Sequence, residues 1–207
     1  MGPQVETFVL ATANPDKAKE IAVILEAAGA PVRLVSRDPS IGEVAETGAT
    51  LEENARLKAE AIVRATGSPA IADDTGLEVD ALAGAPGAHS ARFAGEDATY
   101  ADNCALLLER LADVPDEQRT ARFATVAIAR WPDGHEVAAF GTVEGTIARE
   151  PRGDAGFGYD PIFVPKEGDG RTFGEMSPVE KHLVSHRGRA FRTLADGLRA
   201  MLVTKDP

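Results

Sequence analysis

A chain of 207 residues, 43% hydrophobic and 27% charged, has the size and balance of one soluble domain with a sizeable core. Its 33 acidic against 22 basic side chains, a net charge of −11, work against wrapping a nucleic-acid polymer, though not against holding one small polyanion in a locally basic pocket. No apolar run approaches the roughly 20 residues of a membrane span, residues 1–20 have no basic start followed by a long apolar core, and the lone cysteine, Cys104, excludes an intramolecular disulfide; the expectation is a cytoplasmic protein with no membrane partner.

Thr7–Ala11 reads as an apolar strand that runs into Thr12-Ala13-Asn14-Pro15-Asp16-Lys17 and a helix over Pro15–Ala28. Pro15 suits the first helical turn, Ile21, Ile24, Leu25 and Ala28 form the apolar stripe, and Gly29 ends it. A helix start offers unpaired N–H groups and a positive dipole end to a phosphate, here with Thr, Asn and Lys as extra donors. The alternative is that Asn14 only caps the helix and Lys17 lies in solvent. No Gly-Lys-Ser/Thr follows a glycine at P-loop spacing. Val32–Ser36 reads as the next strand. The helix Leu51–Thr66 opens on Thr50 and Glu53 as a capping box and closes at Gly67, with Asn54 and Lys58 on one face. Glu46, in the loop before it, is a candidate partner for Asp74.

Ala70 to Gly76 is an apolar run that stops on Asp73-Asp74-Thr75-Gly76. A strand ending there delivers its polar side chains at the carboxyl edge of a sheet, where α/β proteins place ligands. Adjacent carboxylates are tolerated most easily when a cation sits beside them or one stays protonated; the alternative is an Asp-Asp turn capped by Thr-Gly with both carboxylates in water. Leu77–Leu82 alternates as a second short strand, and Gly84–Gly95 is a long loop of the kind that tends to be functional. Tyr100–Ala112 reads as a helix capped by Thr99, with Cys104 in its core stripe. Arg119–Trp131 and Glu136–Ile147 form a hairpin about Pro132–His135, which makes the sheet partly antiparallel. In Gly153–Pro161 glycines alternate with Phe157 and Tyr159, suiting either a loop that stacks on a planar base or two aromatics packed into the core. The strand Ile162–Pro165 follows. Ser177, Pro178 and Glu180 start a helix, Ser185 caps another, and Lys181, His186, Arg187 and Arg189 concentrate positive donors in an acidic chain. His182 and His186 have zinc-pair spacing but neither the following Glu nor a third ligand.

With these segments in hand the sequence closely resembles the inosine triphosphate pyrophosphatase family, also called the Ham1 or dITP/XTP pyrophosphatase family. The resemblance covers nearly the whole chain and rests on Thr12-x-Asn14-x-x-Lys17, Glu46-Thr-Gly with Asn54 and Lys58, Asp73-Asp74-Thr75-Gly76-Leu77, Gly156-Phe-Gly-Tyr-Asp-Pro161, and Lys181 with Ser185-His-Arg-Gly188. Thr75 stands where the family more often has Ser, and Ala13 at a variable position. The resemblance implies a two-lobed, single-domain α/β fold over 1–207 around a long mixed sheet with flanking helices, a nucleotide cleft between lobes, and a homodimer. It implies cleavage of ITP, dITP and XTP between the α and β phosphates with Mg²⁺. Thr12, Asn14 and Lys17 would hold the triphosphate, joined by Lys58 and Lys181, with Ala13, Pro15, Asp16 and Thr75 among the other substrate-binding residues. Glu46 and Asp74 would hold the metal, with Asp74 also accepting the proton of the attacking water. Phe157, Gly158, Tyr159 and Asp160, with His186 and Arg187, would form the base pocket. A Maf-type pyrophosphatase and a nucleotide-binding module without turnover are the rival readings.

Overall fold

The computed structural model describes residues 5–42 and 44–203; residues 1–4, the start of the stretch read for a leader, lie outside them. Seven strands, β1 (Glu6–Leu10), β2 (Val32–Ser36), β3 (Ala70–Val79), β4 (Pro86–Gly87), β5 (Thr120–Arg130), β6 (Glu136–Ile147) and β7 (Phe163–Pro165), form a mixed sheet in the order β2-β1-β3-β5-β6-β7, with β4 on β3. The helices are α1 (Pro15–Ala27), α2 (Leu51–Thr66), α3 (Tyr100–Arg110), α4 (Pro178–Val184) and α5 (His186–Val203). β1 runs parallel to β2 and β3, whereas β3 with β4 and β6 with β7 are antiparallel. Among the described residues no helix is long and apolar enough to cross a membrane.

The chain divides into two compact units, Met1–Asp74 with Thr125–Gly141 and Arg187–Pro207, and Thr75–Ala124 with Thr142–His186. In the first unit the pleat sorts the strand residues. Phe8, Leu10 and Ile71 pack with Ile21, Ile24 and Leu25 of α1 and Phe191, Leu194 and Leu198 of α5. Val9, Ala11, Ala70 and Ala72 pack with Ala55, Ala59 and Ile62 of α2. With helices on both faces, the strands read as continuous apolar runs instead of alternating ones. The second unit has one core, in which Leu107 and Cys104 of α3 meet Leu77, Phe123, Val143, Phe163 and Phe173.

The run at Asp73 and Asp74 differs from the reading of the sequence. The strand does not stop on the carboxylates: β3 continues for 10 residues to Val79. Alternation persists through the acidic pair, and Gly76 keeps a strand conformation, so nothing forces a turn. Asp80–Leu82, expected as strand, is a 3-10 turn, α3 ends at Arg110 instead of Ala112, and β7 begins at Phe163 after a 3-10 turn over Asp160–Ile162.

Candidate active site

Successive side chains of a strand point to opposite faces, and this decides the fate of the two aspartates. Asp73 follows Ile71 onto the face covered by α1 and α5, and Asp74 follows Ala72 onto the face covered by α2. Adjacent in sequence, they acquire separate partners, and both are buried.

On the α2 face, Lys58 Nζ lies 2.6 Å from Asp74 Oδ1 and 3.0 Å from Glu46 Oε1. Asn54, one turn earlier on α2, ties the surroundings together. Its Oδ1 accepts the Gly48 N–H at 2.8 Å and its Nδ2 donates to Asp74 Oδ2 at 3.5 Å. A Cβ on Gly48 would lie 2.6 Å from Glu53 Cβ and 2.7 Å from Asn54 Oδ1, so only glycine lets the Glu46 loop approach α2 this closely. Thr50 accepts the Glu53 N–H at 3.1 Å, but Glu53 returns its carboxylate to Ala49 N at 2.6 Å, one residue before the predicted box partner, and so fastens the same loop. Burial raises the Asp74 pKa above the usual carboxylate range, with Lys58 and Lys17 pulling the other way. Burial works against the Lys58 ammonium, yet Asp74, Asp73 and Glu46 outweigh it and the lysine pKa is raised. Two hard oxygens therefore converge on one cation-sized position, a set that suits a divalent ion completed by phosphate oxygens. Among the described residues no group of three or more His, Cys, Asp and Glu side chains offers a metal cage.

On the other face, Asp73 is 3.5 Å from both Lys17 Nζ of α1 and Arg187 Nη2 of α5. Arg187 also donates to Glu20 Oε2 at 2.7 Å. Burial lowers the Lys17 pKa, opposed by Asp73 and reinforced by Lys58 and Arg187. The loop from Thr12 to Lys17 is wired by Asn14, whose N–H donates to Thr12 Oγ1 at 3.1 Å and whose Oδ1 accepts from Asp16 N at 2.9 Å and Lys17 N at 3.1 Å. Asn14 thus caps α1, as the alternative reading had it, and Lys17 turns to Asp73. Ala13, Pro15 and Asp16 are exposed beside this positive helix end.

In the second unit, Asp160 Oδ2 accepts from Phe157 N at 2.7 Å and from Lys181 Nζ at 2.6 Å. Gly156, at φ +73°, makes this possible, since a Cβ there would lie 2.1 Å from Asp160 Oδ2. The Lys181 ammonium, expected at the triphosphate, lies 5.0 Å from the centroid of the Phe157 ring, a cation–π contact. Phe157 is half-buried, as is Gly158. Tyr159 takes the core alternative: it is buried and donates its hydroxyl to the Ser90 carbonyl at 2.9 Å. His186 stacks on Phe123, with ring centroids 4.4 Å apart and planes 17° apart. Thr75 is half-buried on β3.

The structure thus brings together Glu46, Lys58 and Asp74, then Lys17 with Asp73, and Phe157 with Asp160 and Lys181. Arg187, expected at the base, has its guanidinium on Glu20 and Asp73 in the first unit, whereas residues 157–160 and His186 belong to the second. Sequence reading missed Glu20; the available signal was its position three residues after Lys17 on one face of α1. It also missed Ser90, whose hydroxyl accepts the Leu77 N–H at 2.8 Å and donates to the Gly87 carbonyl at 2.6 Å.

A profile of the Ham1 family matches residues 8–197. The chain belongs to the Ham1 family. Among its relatives is a dITP/XTP pyrophosphatase of Streptomyces coelicolor, 50% identical over 94% of this chain and 98% of the relative. A second protein of the same name, from Escherichia coli O157:H7, is 47% identical over 94% and 99%. A Ham1 protein from Coxiella burnetii superposes with a TM-score of 0.84 at 39% identity, covering 94% of this chain and 99% of the other. The mixed α/β architecture is therefore that of Ham1 proteins.

Proposed function

We propose that this chain hydrolyses non-canonical purine nucleoside triphosphates, ITP and dITP, XTP and dXTP, to the monophosphate and pyrophosphate, clearing deaminated purines from the nucleotide pool. The observation that carries the reading is the convergence of Glu46 and Asp74 on one cation position in a Ham1 chain, whose relatives bear the name dITP/XTP pyrophosphatase.

Magnesium is the proposed cofactor; Glu46 and Asp74 would hold it, and it would supply positive charge against the triphosphate and favour the deprotonated form of the attacking water. The α1 amino end, with Thr12, Asn14 and Lys17 and the exposed backbone of Ala13 to Asp16, binds the phosphates, and Lys58 adds a mobile cation. Asp74 accepts the water proton on its carboxylate, held within reach of the metal position by β3. Phe157 and Gly158 present a surface to the purine, while Asp160 and Lys181 fix that loop and Tyr159 anchors it through Ser90. Inosine and xanthine carry an oxygen at C6 where adenine carries an amino group, so a donor from His186 or a loop N–H favours the damaged bases. In this reading Arg187 acts through Asp73 and Lys17, on the phosphate side. The protein is proposed to work in the cytoplasm as a homodimer, which light scattering in solution tests.

Steady-state kcat/KM across dITP, ITP, XTP, ATP, GTP, dTTP and UTP tests the function. Preference for the deaminated purines supports it. Preference for dTTP or UTP points to a Maf-type enzyme, and binding of ITP without turnover points to a module with no catalysis.

A further inference from the structure

The geometry points to Lys58 as a tethered stand-in for the divalent cation: it holds Glu46 and Asp74 together in the metal-free protein and gives up that position when the metal enters. The inference rests on the metal reading above. The ammonium lies 3.0 Å from Glu46 Oε1 and 2.6 Å from Asp74 Oδ1, on the point where the two carboxylates converge. Mg²⁺ binds carboxylate oxygens at about 2.0–2.1 Å, so ammonium and metal cannot share that point and one must leave.

Which group moves follows from how each is held. The Glu46 loop is fastened to α2 by its own backbone, through Gly48 N to Asn54 Oδ1 and Ala49 N to Glu53 Oε2. Asp74 sits within β3, between strand residues packed on both faces, with Asn54 Nδ2 at 3.5 Å from its second oxygen. The backbone that carries each carboxylate is thus fixed independently of Lys58. Lys58 is a compact charge on a flexible four-carbon stem, and its ammonium can swing while α2 stays fixed. The released ammonium is then available to the triphosphate that arrives with the metal. In the metal-free state Lys58 offsets the repulsion between Glu46 and Asp74, so the site keeps its shape without its ion.

Binding of Mn²⁺ to the full chain without nucleotide, followed by the EPR signal of free ion, tests the exchange. A tethered competitor weakens apparent affinity by the fraction of time it vacates the site, so Lys58→Gln is expected to tighten Mn²⁺ binding by ~10-fold or more. Lys58→Arg, which keeps the charge, is expected to stay close to wild type. Lys17→Gln removes a nearby charge that pairs with Asp73 and is expected to tighten binding much less. Unchanged or weaker binding by Lys58→Gln, or equal tightening by Lys17→Gln, would overturn the exchange while leaving the metal site standing. Mn²⁺ binding unaffected by both Asp74→Asn and Glu46→Gln would instead overturn the metal assignment beneath it. Wild-type protein gives an independent reading should Lys58→Gln fail to fold: Mg²⁺ alone should raise the rate at which acetic anhydride modifies Lys58, as followed by peptide mass spectrometry. An unchanged or lower rate at saturating Mg²⁺ contradicts the displacement.

Discussion

Asp73 and Asp74 are chain neighbours, but the pleat gives them different companions, and their replacement has different expected consequences. Asp74→Asn removes the proposed proton acceptor and half of the proposed metal site, so kcat for ITP should fall by ~10²–10⁴-fold or more with an unchanged circular dichroism spectrum; wild-type turnover at saturating Mg²⁺ would sink the assignment. Asp73→Asn should cost less in kcat and more in KM, because it unbalances Lys17 and Arg187, the cations proposed to serve the phosphates. Gly48→Ala should weaken Mg²⁺ activation, since the added methyl would meet Glu53 and Asn54 at 2.6 and 2.7 Å and push the Glu46 loop off α2. A Mg²⁺ titration of turnover checks it, and an unaltered half-saturation would show that the loop does not set the position of Glu46. At this scale the carboxylates, lysines and aromatic loop were legible because their chemistry is written in residue type. The partners of Arg187 were not: its sequence neighbour His186 lies in the other unit, and nothing in the local pattern announces that a guanidinium meets Glu20 across 167 positions of chain.

Elements with strong local signals were legible almost to the residue. Asn14 and Pro15 start α1, Thr50 and Gly67 bound α2, and Ser177 with Glu180 opens α4, each through a side chain or glycine that satisfies the helix end. β3 was legible as a strand but not in length, because two charges in the middle of a strand look like an ending until the helices that neutralise them are in place. Arg187 holds α5 to α1 and β3 through Glu20 and Asp73, and it is only 2% exposed. Arg187→Ala leaves a buried carboxylate pair short of a cation, for which ~3–5 kcal/mol of lost stability is expected. Urea unfolding measures it, and a loss well under 1 kcal/mol would show the cluster to be unimportant to the fold. On α3, burial, reinforced by Asp160, pushes the Cys104 thiol up to about 11. The folded chain therefore keeps this thiol protonated where an unfolded chain, near 8.5, ionises, so Cys104 withdraws stability as pH rises from about 8.5 towards 11. Labelling by a thiol reagent at pH 8 should be very slow in native protein and fast in urea; rapid native labelling would contradict the packing of α3.

For the whole molecule, a net charge of −11 with a few buried cations fits the proposal of a protein that takes up a divalent ion and one small polyanion. The first unit carries Lys17, Glu46, Lys58, Asp73, Asp74 and Arg187, and the second carries Phe157, Asp160, Lys181 and His186. Composition alone read as soluble and acidic; the family blocks carried the function, since no periodicity distinguishes a hydrolase from a binding module. The proposed reaction breaks the α–β phosphoanhydride of a deaminated purine nucleotide. The most direct measurement is ³¹P NMR of the products from ITP and, in parallel, ATP, with Mg²⁺ and equal enzyme. ITP should give the resonances of IMP and pyrophosphate while ATP stays essentially intact over the same interval. Orthophosphate with IDP as the products, or equal consumption of ITP and ATP, would contradict it.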